Sequence, residues 1–135
     1  MVKEIVVTSS LTDEMILAGA ALVRGLDKAR LTVSAALWLY LADTDTWRFI
    51  VASPEVRIEG PKKMYKKVLA VIAKLPADQP KIPLKDISVT DTKDTLISSL
   101  RTALRTKENN PAGIRFSHNV INGVPIDDAY IYRVS

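Results

Sequence analysis

Residues 113–134 read GIRFSHNVINGVPIDDAYIYRV, and Asn122-Gly123 in their middle decides the fold. Asn-Gly between two β-rich runs is the preferred type I′ hairpin turn, because both central residues must take positive φ. Gly113–Ile121 and Val124–Val134 are therefore predicted to pair as antiparallel strands. Pro125 fits that register one step past the hydrogen-bonded pair Ile121/Val124, with its missing N–H turned outward. The segment around Pro125 is thereby placed at a sheet edge.

A second hairpin is predicted upstream, from Thr32–Leu41 and Trp47–Ser53 around the polar turn 42–46. With Leu41 facing Trp47, one side of the sheet would carry Leu37, Leu39, Trp47, Phe49 and Val51. The other would carry Ala36, Trp38, Tyr40 and Ile50. Both sides are apolar, so each needs a helix or another subunit over it. Three helices are available. One runs from about Asp13 to Lys28, capped by Thr12, with Met15, Ala18, Leu22 and Leu26 at helical spacing. Gly60-Pro61 opens the second, with Met64, Val68, Val71 and Ile72 as its core stripe. A third, capped by Asp91 or Thr92, runs to about Arg105. Short strands are expected at Lys3–Val7, Glu55–Ile58 and Asp86–Thr90. These elements predict one α+β domain over residues 1–135: a mixed or antiparallel sheet of about five strands, with the helices mostly on one side.

Composition removes whole classes of chemistry. The chain has no cysteine and a single histidine, so disulfides, thiolate nucleophiles and cysteine-built metal sites are out; neither metal nor cofactor is expected. Five glycines, at 19, 25, 60, 113 and 123, fit neither a phosphate loop nor a dinucleotide fingerprint. The apolar run Leu31–Ala42 is well short of the ~20 residues of a membrane-spanning helix. Acids accompany the first basic residue, unlike a secretory leader, and a cytoplasmic protein with no membrane partner is the expectation.

Ser117-His118 with Asp127-Asp128 resembles the parts of a hydrolase. In a regular hairpin, His118 faces Asp127 and Ser117 faces Asp128, while Ser117 and His118 project from opposite sides. A nucleophile–base pair within that strand is then excluded, and His118 reads as a partly buried partner of Asp127 beside Ile114, Phe116 and Ile131. No catalytic residue is assigned, and the reading leans away from an enzyme.

The order helix, hairpin, short strand, helix, strand over about residues 13–90 resembles the core of the restriction-endonuclease-like fold. That resemblance implies an Asp on the second core strand, which Asp45 precedes in the turn, and a Glu-x-Lys on the next, where Glu55-Val56-Arg57 stands. Arg does not give up a proton as Lys does, so the resemblance implies a degenerate domain with lost or weak nuclease activity.

Net charge is +4, divided as −2 over residues 1–60 and +6 over residues 61–135. Lys62, Lys63, Lys66, Lys67 and Lys74 form a basic helix face, extended by Arg101 and Arg105 if the second and third helices share an exposed side. That makes nucleic acid a candidate partner. Trp38, Tyr40, Ile50, Arg115 and Tyr130 are the candidate protein interface, since aromatics and Arg favour such surfaces. The first expectation is a non-enzymatic interaction module that self-associates or joins a larger assembly; a nucleic-acid-binding accessory protein is the alternative.

Overall fold

The computed structural model describes residues 10–104 and 113–135. The fold is α+β. In chain order the elements are α1 (Asp13–Lys28), β1 (Ala35–Leu41), β2 (Thr46–Ala52), α2 (Glu55–Glu59), α3 (Pro61–Lys74), β3 (Ile87–Thr90), α4 (Thr95–Ala103), β4 (Ile114–Ile121) and β5 (Val124–Val134). They build a five-stranded sheet in the order β3-β2-β1-β5-β4. β2 and β3 run parallel, and the other neighbours run antiparallel. The expected strand at Lys3–Val7 lies outside the described residues.

Local chemistry sets most boundaries. Thr12 Oγ1 accepts from the Met15 N–H at 3.1 Å, and Asp13 and Glu14 sit at the positive end of α1. α3 opens with Pro61 after Gly60, whose φ of +93° favours glycine. Two expectations move. The cap of α4 is Asp94, accepting from Leu96 N–H at 3.1 Å, because residues 91–94 first close a turn of their own. Glu55–Ile58 is helical, not a strand. The Ser53 hydroxyl accepts from the Glu55 N–H and Pro54 has helical φ, which is how a helix starts.

The β1–β2 register is one residue from the expected one. Leu41 pairs with Thr46 and Tyr40 with Trp47. The four-residue turn closes with Asp45 at φ +51°, consuming one residue fewer than the predicted loop. A one-residue slip exchanges partners across every face. Ala36, Trp38 and Tyr40 therefore share a side with Trp47, Phe49 and Val51, while Leu37 and Leu39 join Ile50.

Helices cover both sides, and most of them lie on one. α1 and α3 pack on the Trp38/Phe49 side with Leu22, Leu26, Met64 and Val68; α4 packs on the Leu37/Ile131 side with Ile97 and Leu100. Two glycines permit the first layer. A β-carbon on Gly19 would lie 2.3 Å from Tyr132 Oη, and one on Gly25 would lie 2.7 Å from Val71 Cγ1. Among the described residues no helix is long and apolar enough to cross a membrane.

Candidate functional site

The two hairpins part company at one end of the sheet. β1 pairs with β5 only as far as Leu39↔Ala129, while β1 continues with β2 to Leu41 and β5 continues with β4 to Val124. Beyond that point Val124–Asp128 has β4 on one side and, among the described residues, no strand on the other. Pro125 sits on this open edge as expected, where a missing N–H removes a donor that a stray strand would seek.

The fork holds a cleft of about 270 Å³ lined by Tyr40, Trp47, Arg115, His118, Asp127 and Asp128 with Ser10 and Leu11. Arg115 makes a bidentate pair with Asp128, both bonds 2.6 Å, and its guanidinium lies 5.7 Å from the Trp47 ring centroid. Arg115 holds the Asp128 carboxyl below the usual carboxylate range, and the Ser117 hydroxyl, donating at 2.9 Å, adds to this. Tyr40 Oη donates to Asp45 Oδ1. That bond, with burial and the charges of Asp45 and Asp127, raises the Tyr40 pKa. The rings of Tyr40 and Trp47 meet at 5.3 Å.

His118 is where strand regularity breaks. Its φ is +50°, in the left-handed region that costs a non-glycine residue about 1 kcal/mol or more. The pairing continues from Ser117↔Asp128 to Asn119↔Ile126 without an inserted residue, so this is a rotation of the strand and not a bulge. Simple alternation from Arg115 and Ser117 would put Ile121 and Ile126 on the α1 side; both instead pack into the α4-side core. His118 itself is exposed and lines the fork, rather than being partly buried with Ile114, Phe116 and Ile131. The expected separation of Ser117 and His118 onto opposite faces therefore does not hold. The Ser117 hydroxyl is instead committed to Asp128.

The predicted interface is only partly assembled. Tyr40, Arg115 and Tyr130 lie on the α1 side near the fork, with Arg115 opposite Tyr130 in the β4–β5 ladder. Trp38 is 3% exposed, its indole N–H donating to Met15 O at 3.0 Å, so it belongs to the core. Ile50 lies on the other side of the sheet. Trp47 and Asp45 were named in other roles, Trp47 on an apolar face of the first hairpin and Asp45 as an endonuclease-like acid, whereas Trp47 lies under Arg115 and Asp45 accepts from Tyr40. The correct hairpin register would have placed Trp47 beside Tyr40, but nothing local links it to Arg115.

The basic surface also divides. Lys62, Lys63, Lys66 and Lys74 are exposed on α3, whereas Lys67 is bound to Glu55 at 2.8 Å and Glu59 at 2.7 Å. Arg101 lies on α4, across the sheet from α3, and donates to Ser135 O and Thr92 O. It ties the last strand down instead of extending the patch. Arg105 lies outside the described residues.

The endonuclease-like constellation is not present. Asp45 is in the turn bonded to Tyr40, and Glu55 opens α2, holding Lys67 and the Thr32 N–H. Among the described residues no group of three or more His, Asp or Glu side chains is placed to hold a metal ion. Comparison with protein-family models, curated proteins and solved structures finds no match.

Proposed function

We propose that this protein is a non-enzymatic binding module that engages another protein chain, in the first instance a second copy of itself, through the fork between its hairpins. The observation that supports this reading is the character of the fork. Several of its polar groups bond to one another (Arg115 and Ser117 on Asp128, Tyr40 on Asp45), which preorganises those side chains. An Arg stacked on Trp beside a Tyr is the composition of an interface hot spot. Val120, 67% exposed on the β4 edge, adds apolar area near it. Sedimentation velocity over a wide concentration range tests the reading. The expected result is a concentration-dependent dimer that Arg115→Glu and Val120→Asp each weaken. A monomer at every concentration overturns self-association.

A second reading is contact with a nucleic-acid backbone by Lys62, Lys63, Lys66 and Lys74, favoured by their shared exposure on α3. Retention of mixed-sequence DNA or RNA should then fall with salt and with charge reversal at Lys62, Lys63 and Lys66. Retention that survives the reversal excludes α3 as the contact.

A further inference from the structure

The sheet ends on β3 at one side and β4 at the other, and the two edges differ in chemistry. On β3, Thr90 O accepts from Ser53 N–H, so Ser88 and Thr90 face β2 while Ile87 and Val89 face outward. The outward groups are taken. Ile87 N–H donates to Leu84 O, Ile87 O accepts from Arg48 Nη2 at 3.2 Å, and Val89 N–H donates to Tyr65 Oη at 3.2 Å. Side chains and a turn therefore close that edge to a further strand.

The β4 edge is open. Ile121 and Val124 flank the two-residue turn as a hydrogen-bonded pair, and counting back by twos gives Asn119, Ser117 and Arg115 the bonds to β5. Ile114 and Phe116 then direct N–H and C=O away from the sheet. Among the described residues no side chain or turn bonds to these groups. Ile114–Ile121 also carries neither Lys nor Pro to repel a strand, and its one charge, Arg115, is tied to Asp128.

We infer that β4 is the strand by which a second copy attaches, paired antiparallel with β4 of its mate about a two-fold axis at Phe116. This rests on the self-association proposed for the fork, to which β4 supplies Arg115 and His118, and names the contact. The side chains are self-complementary in that register. Arg115 comes opposite Ser117 of the second copy, about 5 Å away between β-carbons, so no like charges meet. A two-fold at Arg115 would instead oppose two guanidiniums. Phe116, partly exposed on the α4 side, comes opposite its own copy as an aromatic cross-strand pair. With β3 closed, each copy offers one outer edge, so assembly stops at two and does not grow into a fibre. His118, at φ +50°, ends the regular run after Ser117 and keeps the paired segment short.

Amide exchange of the full chain, read by NMR at low and high protein concentration, tests this, with sedimentation velocity on the same samples. In the dimer the Ile114 and Phe116 amides should exchange about tenfold more slowly than in the monomer. Those of Arg115 and Ser117, bonded to β5, should be protected in both. Phe116→Ala keeps the outward N–H that Phe116→Pro removes, so proline should weaken dimerisation about tenfold beyond alanine while circular dichroism stays unchanged. A dimer whose Ile114 and Phe116 amides exchange as in the monomer overturns the β4 pairing and leaves the fork reading standing. Protection that is independent of concentration means that the edge is covered within one chain, and overturns the pairing as well. A monomer at every concentration ends both readings.

Discussion

The hydroxyl of Tyr132 occupies the space that a β-carbon on Gly19 would need, and it donates to Ile16 O at 2.6 Å. The fifth strand and the first helix are thereby joined by a contact that depends on glycine having no side chain. Burial and the neighbouring Tyr130 raise the Tyr132 pKa, so the phenol stays protonated and keeps donating across the physiological range.

Gly19→Ala should therefore destabilise the protein, although alanine is the better helix former by ~1 kcal/mol. Overpacking of this kind costs about 1–3 kcal/mol and outweighs the gain. Tyr132→Phe removes the nearest of the clashing atoms, so Gly19→Ala should cost less in that background. Urea unfolding of the four proteins of the cycle measures the coupling; additive effects would mean that the two residues do not meet.

Arg133 is 5% exposed and makes a bidentate pair with Asp27 at 2.8 and 2.7 Å, linking β5 to α1. Removing one partner of a buried pair strands the other charge at a cost of about 3–5 kcal/mol, and the partial exposure of Asp27 puts this pair at the lower end. Asp27→Ala should cost far more than Arg115→Ala, whose pair with Asp128 lies at the surface and contributes about 1 kcal/mol or less. Denaturant midpoints of the two variants decide the ranking.

The His118 kink makes an opposite pair of predictions. His118→Gly should leave stability unchanged or raise it by up to about 1 kcal/mol, since glycine adopts φ +50° without strain. His118→Val should lower it, because a β-branched residue resists that conformation. Thermal melts of both variants test the kink; a stabilising valine would mean that the strand is regular there.

Acid should weaken the fold through two carboxylates. Arg115 holds Asp128, and Lys67 with the Thr32 N–H holds Glu55, below the usual carboxylate range. A group whose folded pKa is depressed contributes stability above its unfolded pKa, near 4, and loses it as pH falls through the lower folded value. Arg115→Gln and Lys67→Met should each make the protein less stable at neutral pH and flatten the loss below about pH 4. Denaturant unfolding across pH at low salt reads this, and parallel curves for all three proteins would count against it.

Much of this was legible from local pattern. Asn122-Gly123 specified the final hairpin, Thr12-Asp13-Glu14 the start of α1, and Gly60-Pro61 the start of α3, each because a backbone angle or an orphan N–H demands particular residues. The first hairpin was legible as a pair of strands but not in register, since both of its faces are apolar and neither choice leaves an obvious polar side. The fork was visible only in pieces. Tyr40 and Arg115 were named, but alternation placed His118 on the wrong side, and the sequence left open whether α3 and α4 share a surface.

The sequence alone determined most of the elements, the starts of α1 and α3 and the absence of thiol chemistry, because these follow from each residue and its near neighbours. Tertiary structure decided that Arg115 lies over Trp47, that His118 turns into the cleft, that Arg101 faces away from the lysines, and that α3 packs against α1 at Gly25. Those relations join positions tens of residues apart. They depend on strand register and on which side of the sheet each helix takes, and both emerge only when the whole apolar core is packed at once.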